Sequence, residues 1–220
     1  MLFRSTNDSL GETFDLTNHL RKNHLLAHEL EELLTIYPLL KREVGEIPAD
    51  WLNNVKDKKQ ATKEIYKAFQ NFQNSKNTSA FSINLTKILS KKTTVEYLSK
   101  GAYGTTYKIE IDGAKTTCAK LFHTNFNTYN DLVNGGHYEV QAALFLNAHS
   151  SDFVKMHFGK VAGKENKDGF LVTQFLSDSI TPIEEKTIPN NFNIKYLDNK
   201  PQNIINGKIV DFGGVYIENN

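Results

Sequence analysis

The chain has 220 residues, 39% of them hydrophobic and 23% charged, which suits one domain or a small domain with a helical extension. Its 26 basic and 25 acidic residues nearly balance, which gives no reason to expect nucleic acid or an anionic membrane as a partner. No apolar run reaches the roughly 18 residues of a membrane span. The polar N-terminus lacks a cleavable signal, and the single Cys118 favours a reducing compartment, so we expect a cytosolic site of action.

The first part of the chain is predicted to be helical. After a flexible N-terminus at residues 1–15, leucines recur at helical spacing from Leu16 to Leu40. A second amphipathic helix is expected from Asp57 to about Gln73, followed by a loop over 74–79. We therefore expect a helical extension over residues 16–80 and a second domain over residues 90–220.

Beyond residue 90 the pattern changes to strands and tight turns. Residues 95–122 indicate three strands, with a glycine turn near Gly101 and a hairpin turn at Asp112-Gly113. A helix is predicted from His137 to His149. Two further strands fit Phe153 to Val161 and Gly169 to Leu176, and a last hairpin turns through Asn206-Gly207. The order of elements favours an α+β fold with an antiparallel sheet.

Three features of this second domain suggest phosphate chemistry. Gly101 and Gly104 lie in a turn between two strands, where missing Cβ atoms let backbone N–H groups approach phosphate oxygens. Lys120 lies in an apolar strand and needs a counter-charge, and Glu139 on the next helix is a candidate partner. Taken singly, each feature also fits an ordinary hairpin turn or a solvated charge.

The C-terminal region carries a more specific pattern. Asp198, Lys200 and Asn203 follow one another closely and precede the tripeptide Asp211 to Gly213. One aspartate in a polar turn is ordinary. The combined order and spacing is typical of a catalytic loop followed by a metal-binding Asp-Phe-Gly.

Together these motifs make residues Thr94 to Gly214 resemble a eukaryotic-type protein kinase. The resemblance implies a kinase-like N-lobe, an antiparallel sheet plus helix C, with a severely reduced C-lobe. It implies ATP and Mg²⁺ as cofactors and transfer of the γ-phosphate to a serine or threonine of a protein.

The resemblance also implies individual roles. Lys120, held by Glu139, would orient the α- and β-phosphates, and Asp198 would accept the proton of the attacking hydroxyl while Lys200 offsets charge. Asn203 and Asp211 would bind Mg²⁺. Further positions expected to contact the nucleotide are Ser99, Gly101, Gly104, the gatekeeper Thr173, and the hinge residues Gln174 and Leu176.

The chain also departs from the family pattern. Tyr196 and Leu197 replace the histidine and arginine before the catalytic aspartate, and the sequence ends at residue 220 where an activation segment would follow. Residues 177–197 contain no candidate for the long helix that normally lies beneath the catalytic loop. We therefore expect the helices of residues 16–73 to pack under or behind the core and supply that floor. They could instead form a docking arm for a partner, or the chain could be part of something longer.

The reduced plan resembles minimal kinases that Gram-negative bacteria inject into eukaryotic cells. That resemblance implies action in a host cytosol on a folded host protein or a ubiquitin-related partner. Two alternatives stay open: a pseudokinase or binding scaffold that acts by protein contact, and a kinase-fold transferase of a nucleotidyl or glutamyl group.

Overall fold

The computed structural model describes residues 43–101, 103–123, 136–149, 151–161, 169–177, 193–196, 203–212 and 215–218. These residues form an α+β fold built on a six-stranded antiparallel sheet. The elements in chain order are β1 (Glu43–Gly45), α1 (Lys58–Ser75), α2 (Thr78–Leu89), β2 (Thr93–Lys100), β3 (Gly104–Ile111), β4 (Thr117–Phe122), α3 (Gly136–His149), β5 (Met156–Lys160), β6 (Phe170–Gln174), β7 (Asn193–Tyr196), β8 (Ile204–Ile205), β9 (Lys208–Ile209) and β10 (Val215–Glu218).

The main sheet has the strand order β1-β5-β6-β4-β3-β2. Its β2-β3-β4 meander confirms the three strands predicted from the sequence, and Gly113 takes the left-handed conformation, φ 72°, that the turn between β3 and β4 requires. The predicted strands β5 and β6 are confirmed with shorter bounds. The edge strand β1 was not predicted, because three residues carry too little pattern to distinguish a strand.

Helix α1 confirms the predicted second helix. The Asp57 carboxylate caps its first turn by accepting the N–H of Gln60 at 2.9 Å, and Lys76, in the left-handed conformation, ends it. Apolar side chains spaced three or four apart make up its buried face: Ala61, Ile65, Ala68, Phe69 and Phe72.

Helix α2 was not predicted, and it begins inside the predicted loop at 74–79. Only Lys76 and Asn77 separate the two helices, and the Asn77 side chain caps α2 by accepting the N–H of Ala80 at 2.9 Å. The helix buries Phe81, Leu85 and Leu89 at four-residue spacing. Threonine, serine and asparagine weaken its intrinsic signal, so burial against the sheet stabilises it.

The sheet separates two hydrophobic clusters. On one face α1 and α2 cover an aromatic core in which Phe69 stacks on Phe170, with ring centroids 4.5 Å apart. On the other face α3 and the β8-β9 hairpin share a second cluster with Phe212. Helix α1, part of the region expected to pack under or behind the core, packs its apolar face on the aromatic face of the sheet. Whether residues 16–73 form a floor for the catalytic loop stays a prediction.

The C-terminal hairpin confirms its predicted turn, since Asn206 and Gly207 both have positive φ, 51° and 71°. Strands β7 and β10 form a separate antiparallel pair. The predicted helix and flexible segment before residue 43 lie outside the described residues. None of the helices in the described part of the chain is long and apolar enough to span a membrane.

Candidate functional site

The candidate site is centred on Lys120 in β4. Its neighbours Ala119 and Leu121 point into the aromatic core, so alternation along the strand turns Lys120 to the opposite face. Its cross-strand partners are Thr106 and Leu171. Helix α3 lies on this face, which brings the Lys120 ammonium against the first turn of that helix.

Lys120 contacts two carboxylates from distant parts of the chain. Its Nζ donates to both oxygens of Glu139, at 2.7 and 2.8 Å, and to Oδ1 of Asp211 at 3.2 Å. The Glu139 side chain is 1% exposed, against 22% for Lys120 and 28% for Asp211. The structure therefore brings together the Lys120–Glu139 pair expected from the sequence, with the aspartate of the Asp-Phe-Gly motif beside it.

The charges in this cluster depend on one another. Burial by itself lowers the pKa of Lys120, but Glu139 and Asp211 outweigh it and raise that pKa above its usual value. Burial raises the pKa of Glu139; Lys120 opposes this shift and Asp211 adds to it. The ammonium is thus firmly protonated, and the charge of the Glu139 carboxylate depends on Lys120.

The C-terminal hairpin places Asp211. Val154 N–H donates to the carbonyl of Ile209 and Ile209 N–H donates to that of Asp152, each at 2.8 Å, which ties the hairpin to the segment before β5. Phe212 is fully buried, and its ring stacks on Phe153 at 5.5 Å. These contacts anchor the hairpin beside α3, so Asp211 reaches Lys120.

Asn203 lies at the open end of the same hairpin as Asp211. Its carbonyl accepts the N–H of Val210 at 2.9 Å. This hydrogen bond brings Asn203, one expected metal ligand, next to the residue that precedes Asp211, the other. The predicted catalytic residues Asp198 and Lys200, together with Gly213, lie outside the described residues.

The glycine turn between β2 and β3 closes over the end of β4. Gly101 N–H donates to the carbonyl of Gly104 at 2.8 Å, and His123 N–H donates to that of Tyr103, also at 2.8 Å. Ser99 is exposed within β2 and pairs with Thr106. Of the two glycines, Gly104 has the closer surroundings, since a Cβ there would lie 3.0 Å from the Leu121 carbonyl oxygen and from Lys120 Cγ.

Replacing Gly104 with alanine should therefore disturb Lys120. The added methyl group meets the backbone of β4 and the lysine stem and displaces the ammonium by a fraction of an ångström. For a site that binds nucleotide phosphates, as expected from the sequence, the KM for ATP should rise by about tenfold. The measurement is steady-state kinetics or nucleotide titration. At Gly101 the nearest atom to a Cβ is 3.8 Å away, so Gly101→Ala should have a smaller effect. Equal effects at both positions would contradict this explanation.

Of the residues expected to contact a nucleotide, Thr173 lies in β6 on the same face of the sheet as Lys120, Gln174 is the last residue of that strand, and Leu176 follows it. Thr173 is buried and pairs with Cys118 on β4. The N–H groups of Gln174 and Phe175 donate to the carbonyls of Lys155 and Thr116. The N–H of Leu176 has no backbone partner among the described residues.

Two connections at the site were not foreseen from the sequence. His123 Nε2 lies 2.7 Å from Thr105 Oγ1, which joins the end of β4 to the start of β3. The Asn206 side-chain amide donates to the carbonyl of Ser177 at 2.9 Å, which ties the C-terminal hairpin to the segment after β6. Neither pair shows a sequence signal, because each contact depends on strand register or on how the hairpin packs.

Cys118 lies two residues before Lys120 and provides a test of this face. Burial raises the pKa of its thiol to about 12, although Lys120 opposes the shift. Only the thiolate reacts, so Ellman's reagent at pH 8 should label the native chain at least about 100-fold more slowly than the chain in urea. The unfolded thiol ionises first, so native stability should also fall as the pH rises above its ordinary pKa. Cys118 is only partly buried, so equal labelling rates would show that the pKa of its thiol is not raised in the folded chain.

The residues present fit a magnesium nucleotide. The backbone of Gly104 lies so close to Lys120 and Leu121 that a side chain at this position would not fit. The Lys120 ammonium is a suitable partner for phosphate oxygens. A carboxylate and an amide oxygen are ligands that Mg²⁺ accepts, and Asp211 and Asn203 supply them from one hairpin.

Comparison with protein-family models, curated proteins and solved structures finds no match to this chain.

Proposed function

We propose that this chain is an ATP- and Mg²⁺-dependent protein kinase that transfers the γ-phosphate to a serine or threonine hydroxyl. The observation that carries the proposal is the Lys120–Glu139–Asp211 cluster, in which a strand, a helix and a C-terminal hairpin contribute one charged group each. Three sequence motifs of phosphoryl transfer therefore meet at one place, which separate solvated charges would not do.

The topology around the cluster supports the same proposal. The meander β2-β3-β4, the helix α3 and the strands β5 and β6 follow one another as in a kinase N-lobe, with Lys120 on the third strand of the meander and Glu139 on the helix. The hairpin β8-β9 precedes Asp211. Tyr196, two residues before Asp198, pairs with Val215, four residues after Asp211. This pairing brings the chain before the proposed catalytic aspartate close to the chain after Asp211.

Each group then has a role. Lys120 binds and orients the α- and β-phosphates, and Glu139 holds its ammonium in place. Asp198 accepts the proton of the attacking hydroxyl, and Lys200 offsets charge on the transferred group. Mg²⁺ held by Asn203 and Asp211 would supply charge neutralisation on the phosphate oxygens. As a bacterial effector, such a kinase would act on a folded host protein.

Labelled ATP tests the proposal. The purified chain with Mg²⁺ and γ-labelled ATP should label itself, casein or a protein of a host-cell lysate, identified by mass spectrometry. Asp211→Asn and Asp198→Ala should each lower transfer by at least about 100-fold. The matched control is Asp112→Asn, which changes an exposed aspartate in the β3–β4 turn and should leave transfer unchanged.

Two results would contradict the proposal. Incorporation of label from α-labelled ATP would indicate transfer of a nucleotidyl group. Stabilisation of the fold by Mg·ATP without transfer to any protein would indicate a binding scaffold.

A further inference from the structure

A buried polar contact joins α1 to the strand that carries Lys120. Gln73 lies in the last turn of α1 and is 5% exposed. Its Nε2 donates to the carbonyl of Phe122, the final residue of β4. The surrounding interface between α1 and the sheet is apolar, so this amide and this carbonyl satisfy each other where water has little access.

The orientation of the Gln73 amide is fixed from its other side. Its Oε1 accepts from Nζ of Lys76 at 2.8 Å, and Lys76 is the residue whose left-handed conformation ends α1. A cation can only donate, so this contact turns the oxygen of Gln73 to Lys76 and the nitrogen to Phe122.

Phe122 in turn contacts the ammonium at the centre of the site. Its ring is 1% exposed, and Nζ of Lys120 lies 5.7 Å from the ring centroid. The backbone of the same residue donates to the carbonyl of Gly169 at 3.1 Å. Phe122 is therefore held through both its N–H and its carbonyl, while its ring faces the Lys120 ammonium.

We propose that Gln73 is a positioning residue for Lys120, acting through Phe122, so that α1 takes part in setting the affinity of the site for a nucleotide. This inference rests on the proposed function. A purely structural contact would stabilise the fold without changing how the folded molecule binds Mg·ATP. A positioning contact changes both the affinity and the surroundings of the Lys120 ammonium.

Two substitutions separate the donor from the rest of the side chain. Gln73→Met keeps the length and removes both polar contacts. Gln73→Glu keeps an acceptor for Lys76 but places a carboxylate oxygen against the Phe122 carbonyl. Both should weaken binding of a fluorescent Mg·ATP analogue by about fivefold or more, measured well below the melting temperature. Lys76→Met, which removes only the Oε1 contact, should change affinity by less than about twofold.

Leu85→Ala serves as the matched control for stability. This leucine of α2 is fully buried in the same aromatic cluster, so the variant should lose at least as much melting temperature as Gln73→Met. Its folded form should nevertheless keep the affinity of the original chain. The Lys120 Nζ signal in ¹⁵N-lysine NMR, assigned with Lys120→Arg, should move in both Gln73 variants and stay in place in Leu85→Ala.

The outcomes are distinguishable. If the unaltered chain binds no Mg·ATP analogue, the proposed function fails and this inference fails with it. If the unaltered chain binds and the Gln73 variants bind equally well, only the inference is overturned. It is also overturned if their affinity falls while the Lys120 signal stays in place, or if Leu85→Ala loses affinity to the same extent.

Discussion

Replacing Lys120 with methionine is expected to abolish most phosphoryl transfer and to destabilise the fold at the same time. Transfer should fall by at least about 100-fold, because the ammonium that we propose orients the phosphates is gone. The free energy of unfolding should fall by about 3 kcal/mol, because Glu139 is left as a buried carboxylate without its main partner.

The loss of stability in Lys120→Met should depend on pH with a definite sign. Burial already raises the pKa of Glu139, and removal of the lysine raises it further. An acid whose pKa is raised in the folded state favours folding while it is protonated, and this advantage is lost as the pH rises through the raised pKa. In the unaltered chain the pKa of Glu139 is itself raised to about 8, so the two chains should diverge above this value. Urea unfolding should therefore show a larger difference from the unaltered chain at pH 9.5 than at pH 7.

Lys63→Met is the control, since it removes an exposed ammonium from α1 and should change stability by less than about 0.5 kcal/mol. A Lys120→Met variant as stable as the unaltered chain at pH 9.5 would contradict the buried pair. A Lys120→Met variant that still transfers phosphate at the original rate would show that Lys120 is not needed for transfer.

Replacing Phe69 with alanine is expected to have the largest effect on stability alone. The ring is fully buried, stacks on Phe170, and meets Phe81 and Phe158 edge-on at 4.8 and 5.6 Å. Removing it leaves a cavity between α1 and the sheet, which should cost about 3–5 kcal/mol. Urea unfolding should show a lower midpoint with an unchanged slope.

Ile83→Ala provides the comparison for Phe69→Ala. Ile83 on α2 is 57% exposed, so its truncation should change stability by less than about 0.5 kcal/mol. If Phe69→Ala were equally mild, α1 would not share a core with the sheet, and residues 58–75 would instead behave as a separable arm. The same test therefore distinguishes an integral helix from a docking arm for a partner.

The Lys120–Glu139 contact was predictable because each residue has a local reason. A lysine within an apolar strand requires a counter-charge, and Glu139 opens the next predicted helix. The turns at Gly113 and Gly207 were predictable for a similar reason, since tight turns with positive φ require particular residues. Requirements of this kind, for a counter-charge or for a positive φ, can be predicted from neighbouring residues in the sequence.

Helix α2 could not be predicted from its local sequence. Its cap at Asn77 lies within a polar stretch that also suits a loop, and its stability comes from Phe81, Leu85 and Leu89 packing on the sheet. The placement of α1 behind the sheet was likewise decided by the match between two aromatic faces. An amphipathic pattern shows that a face must be buried but does not show against what.

The sequence by itself therefore determined strands β2 to β6, the turns at Gly113 and Gly207, helices α1 and α3, and which polar residues needed partners. The tertiary structure decided that Asp211 lies against Lys120, that Gly104 fits beside the lysine stem, and that Gln73 holds Phe122. These contacts join residues 16 to 91 positions apart or depend on strand register. Such distances are set by packing of whole elements, which no local pattern of residues encodes.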